Sequence, residues 1–453
     1  MTKRVCQRAT SPSLPYVVLH GILAMLKDGR DVAAFLAALS DEMLSPELAA
    51  LRDLGAVVDL ADHWPVVNIT TMPIEHARLG MAALPAFTGI YIDAGIAAFA
   101  WLDATLPPRM PLTLVVDPSV LGLQSAFAYA WGDRVTSVIV KGRLVQPDLI
   151  PHLLGRCVNV QTATIQDATT SDTATYMAAL PKQHLHTLTT ITTAYEALVA
   201  SPKPLTHIAS LTVVESRFGN GATLGLVTKL DRTKVHTIIF DRFEGQGNNG
   251  DGGVNRPETS VLDTLALCPA LRRLRLVRVH IAPITTTGTW SHLSTVAVRD
   301  TTFKTPGDAV KLIQWLSTSR SLKDVNLDCT PLGTAGFVEL ARALPAWMAR
   351  GLEVLNLRAT HLCDDDAAIL VVALASGTNR RPLTVNVRAN PFLKASTKLF
   401  LAMLGASHNM TLHVGMRRYT DGTRKHMKLH QLVQVQPGVL TSPSRQSSRW
   451  HGV

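Results

Sequence analysis

Between His361 and Asp366 the chain reads "HLCDDD", so an imidazole, a thiol and three carboxylates fall within six residues. These are the donor types that hold zinc or another divalent cation, but a metal centre needs ligands converging from separate elements at defined spacing. Here they are crowded onto one turn, and they interrupt the leucine series "LEVLNLRATHLCDDDAAIL" that starts at Leu352. The series gives them another task. Thr360 falls where a polar side chain satisfies a turn, Asp364 opens a helix whose free N–H groups and dipole favour carboxylates, and Cys363 is a small filler. No metal is expected. A second candidate is "EGQGNNGDGG", where Gly245, Gly247 and Gly250 have G-x-G-x-x-G spacing after the strand-like "TIIF". A dinucleotide fold requires a helix to open at the third glycine, whereas "DGGVNRPETS" breaks helices. A flexible insertion is the better reading. The chain contains no G-x-x-x-x-G-K-[ST], H-E-x-x-H or G-x-S-x-G, and its sixteen histidines are scattered. Neither catalytic residues nor a cofactor are therefore expected.

The elements that carry these residues follow a period. "LKDVNLDCTPLGTAGFVELARAL" begins at Leu322, "LEVLNLRATHLCDDDAAILVVAL" at Leu352 and "PLTVNVRANPFLKASTKLFLAML" at Pro382, thirty residues apart without a gap. Val325, Leu355 and Val385 are equivalent, as are Leu327, Leu357 and Val387, then Thr330, Thr360 and Asn390, and then Leu332, Leu362 and Phe392. Leu344, Leu374 and Leu404 close the rows. Apolar spacing switches within each row from two to about 3.6 residues, as a short strand followed by a helix requires. Fainter copies lie upstream in "LRRLRLVRVHI" and "LSTVAVRDTTF", and more loosely in "VHTIIF", "IASLTVV", "VTSVIV", "LTLVV" and "FTGIYI".

The pattern L-x-x-L-x-L-x-x-(T/N)-x-L plus a helix resembles the leucine-rich repeat, and the row length is similar to its ribonuclease-inhibitor subclass. The resemblance implies an α/β solenoid over residues 63–416, with a curved parallel sheet inside and helices outside. Residues 1–62 lie outside the repeat and read as three short helices, with Pro46 in the first turn of the third and Gly55 near its end. Leu14, Pro15, Val18, Ile22 and Leu26, followed by Val32, Phe35 and Leu39, resemble the opening of an F-box, the module that grips the adaptor of cullin-type ubiquitin ligases. The alternative is that these helices only cap the array.

Hydrophobic residues are 47% of the chain and aromatics 5%, which suits many small aliphatic packing layers. The net charge of +10 is uneven, because seven Lys and Arg after Met416 face Asp421 alone. Residues 417–453 are accordingly expected to be a basic, disordered tail with no specific nucleic-acid partner. Five well-separated cysteines without a C-x-x-C pair suit a reducing compartment. "LPYVVLHGILAML" follows Lys3, Arg4 and Arg8 in the manner of a signal peptide, but Pro15 and His20 interrupt it and "KDGRDV" replaces a cleavage site. A cytoplasmic protein is expected, with the nucleus as the alternative and no membrane span.

Strand alternation places three columns on the inner face. One holds Arg273, Thr295, Asp324, Val354 and Thr384; the next Arg275, Ala297, Asn326, Asn356 and Asn386; the third Val277, Arg299, Asp328, Arg358 and Arg388. An extended face of mixed polarity suits a protein partner. The sequence thus points to a non-enzymatic recognition scaffold, in its sharpest version an F-box-type substrate receptor. A ligase-independent scaffold or ribonuclease-inhibitor-like binder is the alternative.

Overall fold

The computed structural model describes residues 16–69, 71–92, 110–116, 128–141, 149–166, 170–191, 204–214, 227–241, 261–392, 394–415, 421–436 and 439–442. The glycine-rich stretch from Gly245 onward lies outside them, as do Leu14 and Pro15. The chain forms two compact units, residues 1–185 and 186–453. Among the described residues, no helix is long and apolar enough to cross a membrane.

The first unit opens with helices Tyr16–Met25, Gly29–Ala37 and Pro46–Gly55. Asp28 caps the second by accepting from the Arg30 N–H at 2.9 Å, and Pro46 sits in the first turn of the third. Leu19, Leu23, Val32, Leu36, Leu48, Leu51 and Leu54 form their buried core. Trp64 donates its indole N–H to the Leu26 carbonyl at 2.8 Å and so ties the end of the first helix to the sheet that follows. That sheet runs β1 (Val66–Asn68), β2 (Gly89–Ile92), β3 (Leu112–Val116), β4 (Val135–Lys141) and β5 (Thr162–Gln166), each parallel to the last. Helices Leu149–Arg156 and Thr170–Ala179 follow β4 and β5 and pack on each other.

The second unit continues in the same style with β6 (Thr187–Ile191), β7 (Ser210–Val214), β8 (Thr237–Asp241) and β9 (Arg273–Val277). A two-residue pair, β10 (His280–Ile281) with β12 (Thr302–Phe303), stands beside the main sheet. The main sheet proceeds through β11 (Thr295–Arg299), β13 (Asp324–Asn326), β14 (Val354–Asn356), β15 (Leu383–Asn386) and β16 (Met410–His413), all parallel. The fold is therefore α/β with a long, mostly parallel sheet.

The three thirty-residue rows give strand-plus-helix units in matching register, with Val325 opposite Leu355 and Leu355 opposite Val385. Leu327, Leu357 and Val387 are fully buried, and so are Leu344, Leu374 and Leu404. Their helices, Gly333–Arg350, Asp364–Ser376 and Lys394–Ala406, pack consecutively, as does Pro306–Ser317 against the first of them. Pro306–Ser317 starts with a capping box in which Thr305 and Asp308 satisfy each other's backbone N–H groups. Gly333–Arg350 stops at Gly351, whose φ of 103° only glycine takes without strain. Thr360 donates to the Leu357 carbonyl at 2.9 Å, and Asn390 donates to the Val387 and Leu357 carbonyls at 3.0 and 2.7 Å. Phe392 is only part-buried, although its equivalents Leu332 and Leu362 are in the core.

The basic segment after residue 416, expected to be disordered, instead carries the helix Asp421–Leu429, β17 (Val433–Gln436) and β18 (Val439–Thr441). β18 lies antiparallel on β16 and β17 on β18. The reason is local: Val439 and Leu440 are buried, so two apolar residues dock a segment that its charges would otherwise keep in solvent.

Candidate functional site

In a strand, successive side chains alternate faces, so burying Leu274 and Leu276 turns Arg273, Arg275 and Val277 to the other side. The pairing lines up two columns as sequence reasoning places them. Arg273, Thr295, Asp324, Val354 and Thr384 are mutual neighbours across the sheet, and so are Arg275, Ala297, Asn326, Asn356 and Asn386. β16 extends the first with Thr411 and the second with His413. Upstream in the same unit the face is hydroxyl-rich, with Thr187, Ser210 and Thr237 in the first column and Thr189 and Thr212 in the second.

The asparagine column is partly spent on the fold itself. Asn356 donates to the Asn326 Oδ1 at 3.1 Å. The Oδ1 atoms of Asn326, Asn356 and Asn386 accept the backbone N–H groups of Asp328, Arg358 and Arg388 at 3.1, 3.1 and 3.2 Å. Each asparagine thus closes the chain at the end of its own strand, and its acceptor is not offered to a ligand.

Beyond each strand the chain turns through a residue with positive φ: Arg278, Asp300, Cys329, Ala359 and Ala389, all between 50° and 57°. Such φ values are uncommon for side chains with a Cβ, and hydrogen bonds to the next row hold the first four. The N–H groups of Arg278, Asp300, Cys329 and Ala359 reach the carbonyls of Arg299, Asp328, Arg358 and Arg388 at 2.8 to 3.0 Å. The ladder therefore runs past the strands, and it gathers the third column at the C-terminal rim of the sheet.

There Asp328, only 6% exposed, lies between two guanidinium groups. Arg299 Nη2 is 3.3 Å from its Oδ2, and Arg358 Nη1 is 3.3 Å from its Oδ1. Asp328 was expected to face a partner; burial between Arg299 and Arg358 makes it a clamp for them. Next to it, Arg275 pairs with Asp241 at 3.0 Å and Arg278 with Asp300 at 3.0 Å. Asp241, Arg278, Asp300 and Cys329 join Arg299, Asp328 and Arg358 around one pocket. All four escaped the sequence-based columns because they occupy strand ends and turns, Arg278, Asp300 and Cys329 sharing the same positive-φ position after successive strands. Arg388 packs its aliphatic stem over Gly415.

Burial, opposed by the nearby Arg273 and reinforced by Glu353, raises the Asp324 carboxyl above its ordinary value. Burial and then Arg388 push His413 below the usual imidazole value. Burial drives the Cys157 and Cys268 thiols up to about 12 and about 11. Neither is poised as a thiolate.

Of the proposed adaptor residues, Val18 is 42% exposed and Ile22 partly so, while the helix buries Leu19 and Leu23 instead. Leu26, part-buried, lies just past the last helical residue, Met25. Around "HLCDDD" the helix does start at Asp364, with all three aspartates in its first turn. The Cys363 thiol donates to Asp366 Oδ2 at 2.9 Å, and Asp364 takes the Ser396 hydroxyl. Among the described residues, no group of three His, Cys, Asp or Glu is placed to hold a metal ion. No protein-family model matches the chain, and no curated protein matches it in sequence.

Proposed function

We propose that the chain is a leucine-rich repeat solenoid, similar to the ribonuclease-inhibitor subclass, that works as a non-enzymatic scaffold for recognising another protein. One observation carries this reading: side chains from six successive parallel strands stand in registered columns on the face turned away from the buried leucines. Such a face is long and mixed in polarity, and Arg275, Arg299 and Arg358 on it are held in place by ion pairs. It suits the flat, extended surface of a protein better than the enclosure a small ligand needs. On this reading the partner lies across Arg273, Arg275, Asn356, Arg358 and Arg388. Replacing Arg275, Asn356 and Arg388 together by alanine should abolish capture of the partner found with the unaltered chain while the protein stays folded by circular dichroism, its melting temperature lowered only by the lost Asn356 hydrogen bonds and Arg275–Asp241 pair. A partner list identical for both proteins would refute it.

Exposure of Val18 favours a second, compatible role for the N-terminal helices as an F-box-like dock for a ubiquitin-ligase adaptor. Val18 and Ile22 are one helical turn apart on a side that the Leu19–Leu23 core leaves uncovered. The double change Val18→Asp with Ile22→Asp should then stop adaptor co-purification while the protein melts as before. If the helices only cap the array, the same pair should lower the melting temperature instead. The adaptor-docking role would place the protein in the cytoplasm or nucleus.

A further inference from the structure

At the C-terminal ends of β8, β9, β11, β13 and β14 the pocket encloses about 250 Å³. That is below the range of pockets that bury a whole metabolite and ample for one side chain. Its walls carry Arg278, Arg299 and Arg358 against Asp241, Asp300 and Asp328. The formal balance conceals an asymmetry. Asp241 is neutralised from behind by Arg275, at 3.0 Å. Asp328 is buried and takes both Arg299 and Arg358, so one carboxylate answers two guanidinium groups. Counting Arg275, four cations stand against three anions, and the surplus sits on Arg299 and Arg358, whose side chains are 40% and 49% exposed.

Hydrogen-bond capacity points the same way. Two guanidinium groups bring ten N–H donors, more than the two oxygens of Asp328 can accept. A second carboxylate would supply acceptors and cancel the surplus charge, in the fork geometry that makes arginine the usual partner of planar anions. A cation would meet only acids already engaged.

The geometry points to this pocket as the seat of an aspartate or glutamate side chain from an acidic segment of the recognised protein. The inference rests on the recognition reading above and names the chemistry of the partner at one end of the face. Asp300 then acts as a stand-in, occupying Arg278 at 3.0 Å until the partner's carboxylate arrives.

The full-length protein and two variants, Asp300→Asn and Arg278→Ala, would be titrated with fluorescein-labelled deca-glutamate and deca-glutamine. Both substituted side chains are more than half exposed, so the fold should tolerate either change. Deca-glutamate should bind and deca-glutamine should not. Asp300→Asn should tighten deca-glutamate by about twofold to fivefold, the range of one exposed ion pair, and Arg278→Ala should weaken it by at least as much. Equal affinity for all three proteins would place the peptide elsewhere, on the basic C-terminal segment for instance, and overturn the inference. So would a duplex oligonucleotide that binds more tightly than the peptide with the same response to both variants. If the Arg275, Asn356 and Arg388 triple variant loses a protein partner while these two variants change nothing, the pocket assignment falls and the recognition reading stands. If the peptide responds as expected and no protein partner depends on the triple variant, the pocket assignment stands and the wider reading falls.

Discussion

Leu357→Ala tests the register on which the face depends. Leu357 is fully buried, between the equally buried Leu327 and Val387 of the adjoining rows. Its backbone N–H reaches the Asn386 carbonyl at 2.7 Å, so the row cannot shift to close a gap without breaking the ladder. Truncation removes three carbons, worth about 2 kcal/mol in transfer at ~0.8 kcal/mol each. The cavity adds a further cost, because rigid neighbours collapse only in part, and the total should fall at about 2 to 5 kcal/mol. Val354, three residues earlier and at the start of β14, is 36% exposed and faces the other way. Val354→Ala should stay within about 0.5 kcal/mol of the unaltered protein. Urea titration followed by tryptophan fluorescence would measure both, since Trp290 and Trp347 are fully buried in the same unit. A Leu357→Ala loss under about half a kcal/mol, or a greater loss for Val354→Ala, would overturn the assignment of faces.

Asp324 offers a test by pH. Its carboxyl is raised in the folded state above its ordinary 3.8, so the folded chain holds the proton longer and stability falls as pH rises through the window from 3.8 to the raised value. Asp324→Asn lacks this penalty, and its stability relative to the unaltered protein should grow between about pH 4 and neutrality; a flat difference across that range would show that Arg273 offsets the desolvation. Asn390→Ala strips the turn of donors to Leu357 and Val387 and of an acceptor for the Leu362 N–H, and should cost about 1 to 3 kcal/mol by denaturant titration, with a loss under half of one counting against it. Ending the chain after residue 416 removes β18 from the edge of β16 and uncovers Leu412, so amides of β15 and β16 should lose hydrogen-exchange protection while those of β9 and β11 keep theirs. Unchanged protection in β16 would mean that the C-terminal strands add nothing to the fold.

How much of this was legible turns on where chemistry repeats. Rows whose buried positions are all aliphatic announced themselves: Leu355 and Leu357 have counterparts thirty residues away on both sides, and the columns written from them match the observed pairing. β5 and β6 did not. "TATIQ" buries Ala163 and Ile165, and "TLTTI" buries Leu188 and Thr190, so a threonine or an alanine stands where the pattern wants a leucine. A hydroxyl whose burial depends on neighbouring strands carries no period of its own. The same limit hid the pocket. Arg278 and Asp300 look like ordinary polar turn residues in sequence, and only the left-handed turn after each strand, fixed by the N–H to carbonyl link between rows, brings them beside Arg299 and Arg358. The column placed Asp328 between Arg299 and Arg358 without foretelling its burial, because alternation along one strand predicts which side a residue faces but not how far two long guanidinium side chains from adjacent rows will cover it. Side-chain reach across rows, set by a strand spacing near 4.8 Å, is what converts three columns of letters into a clamp with one charge to spare.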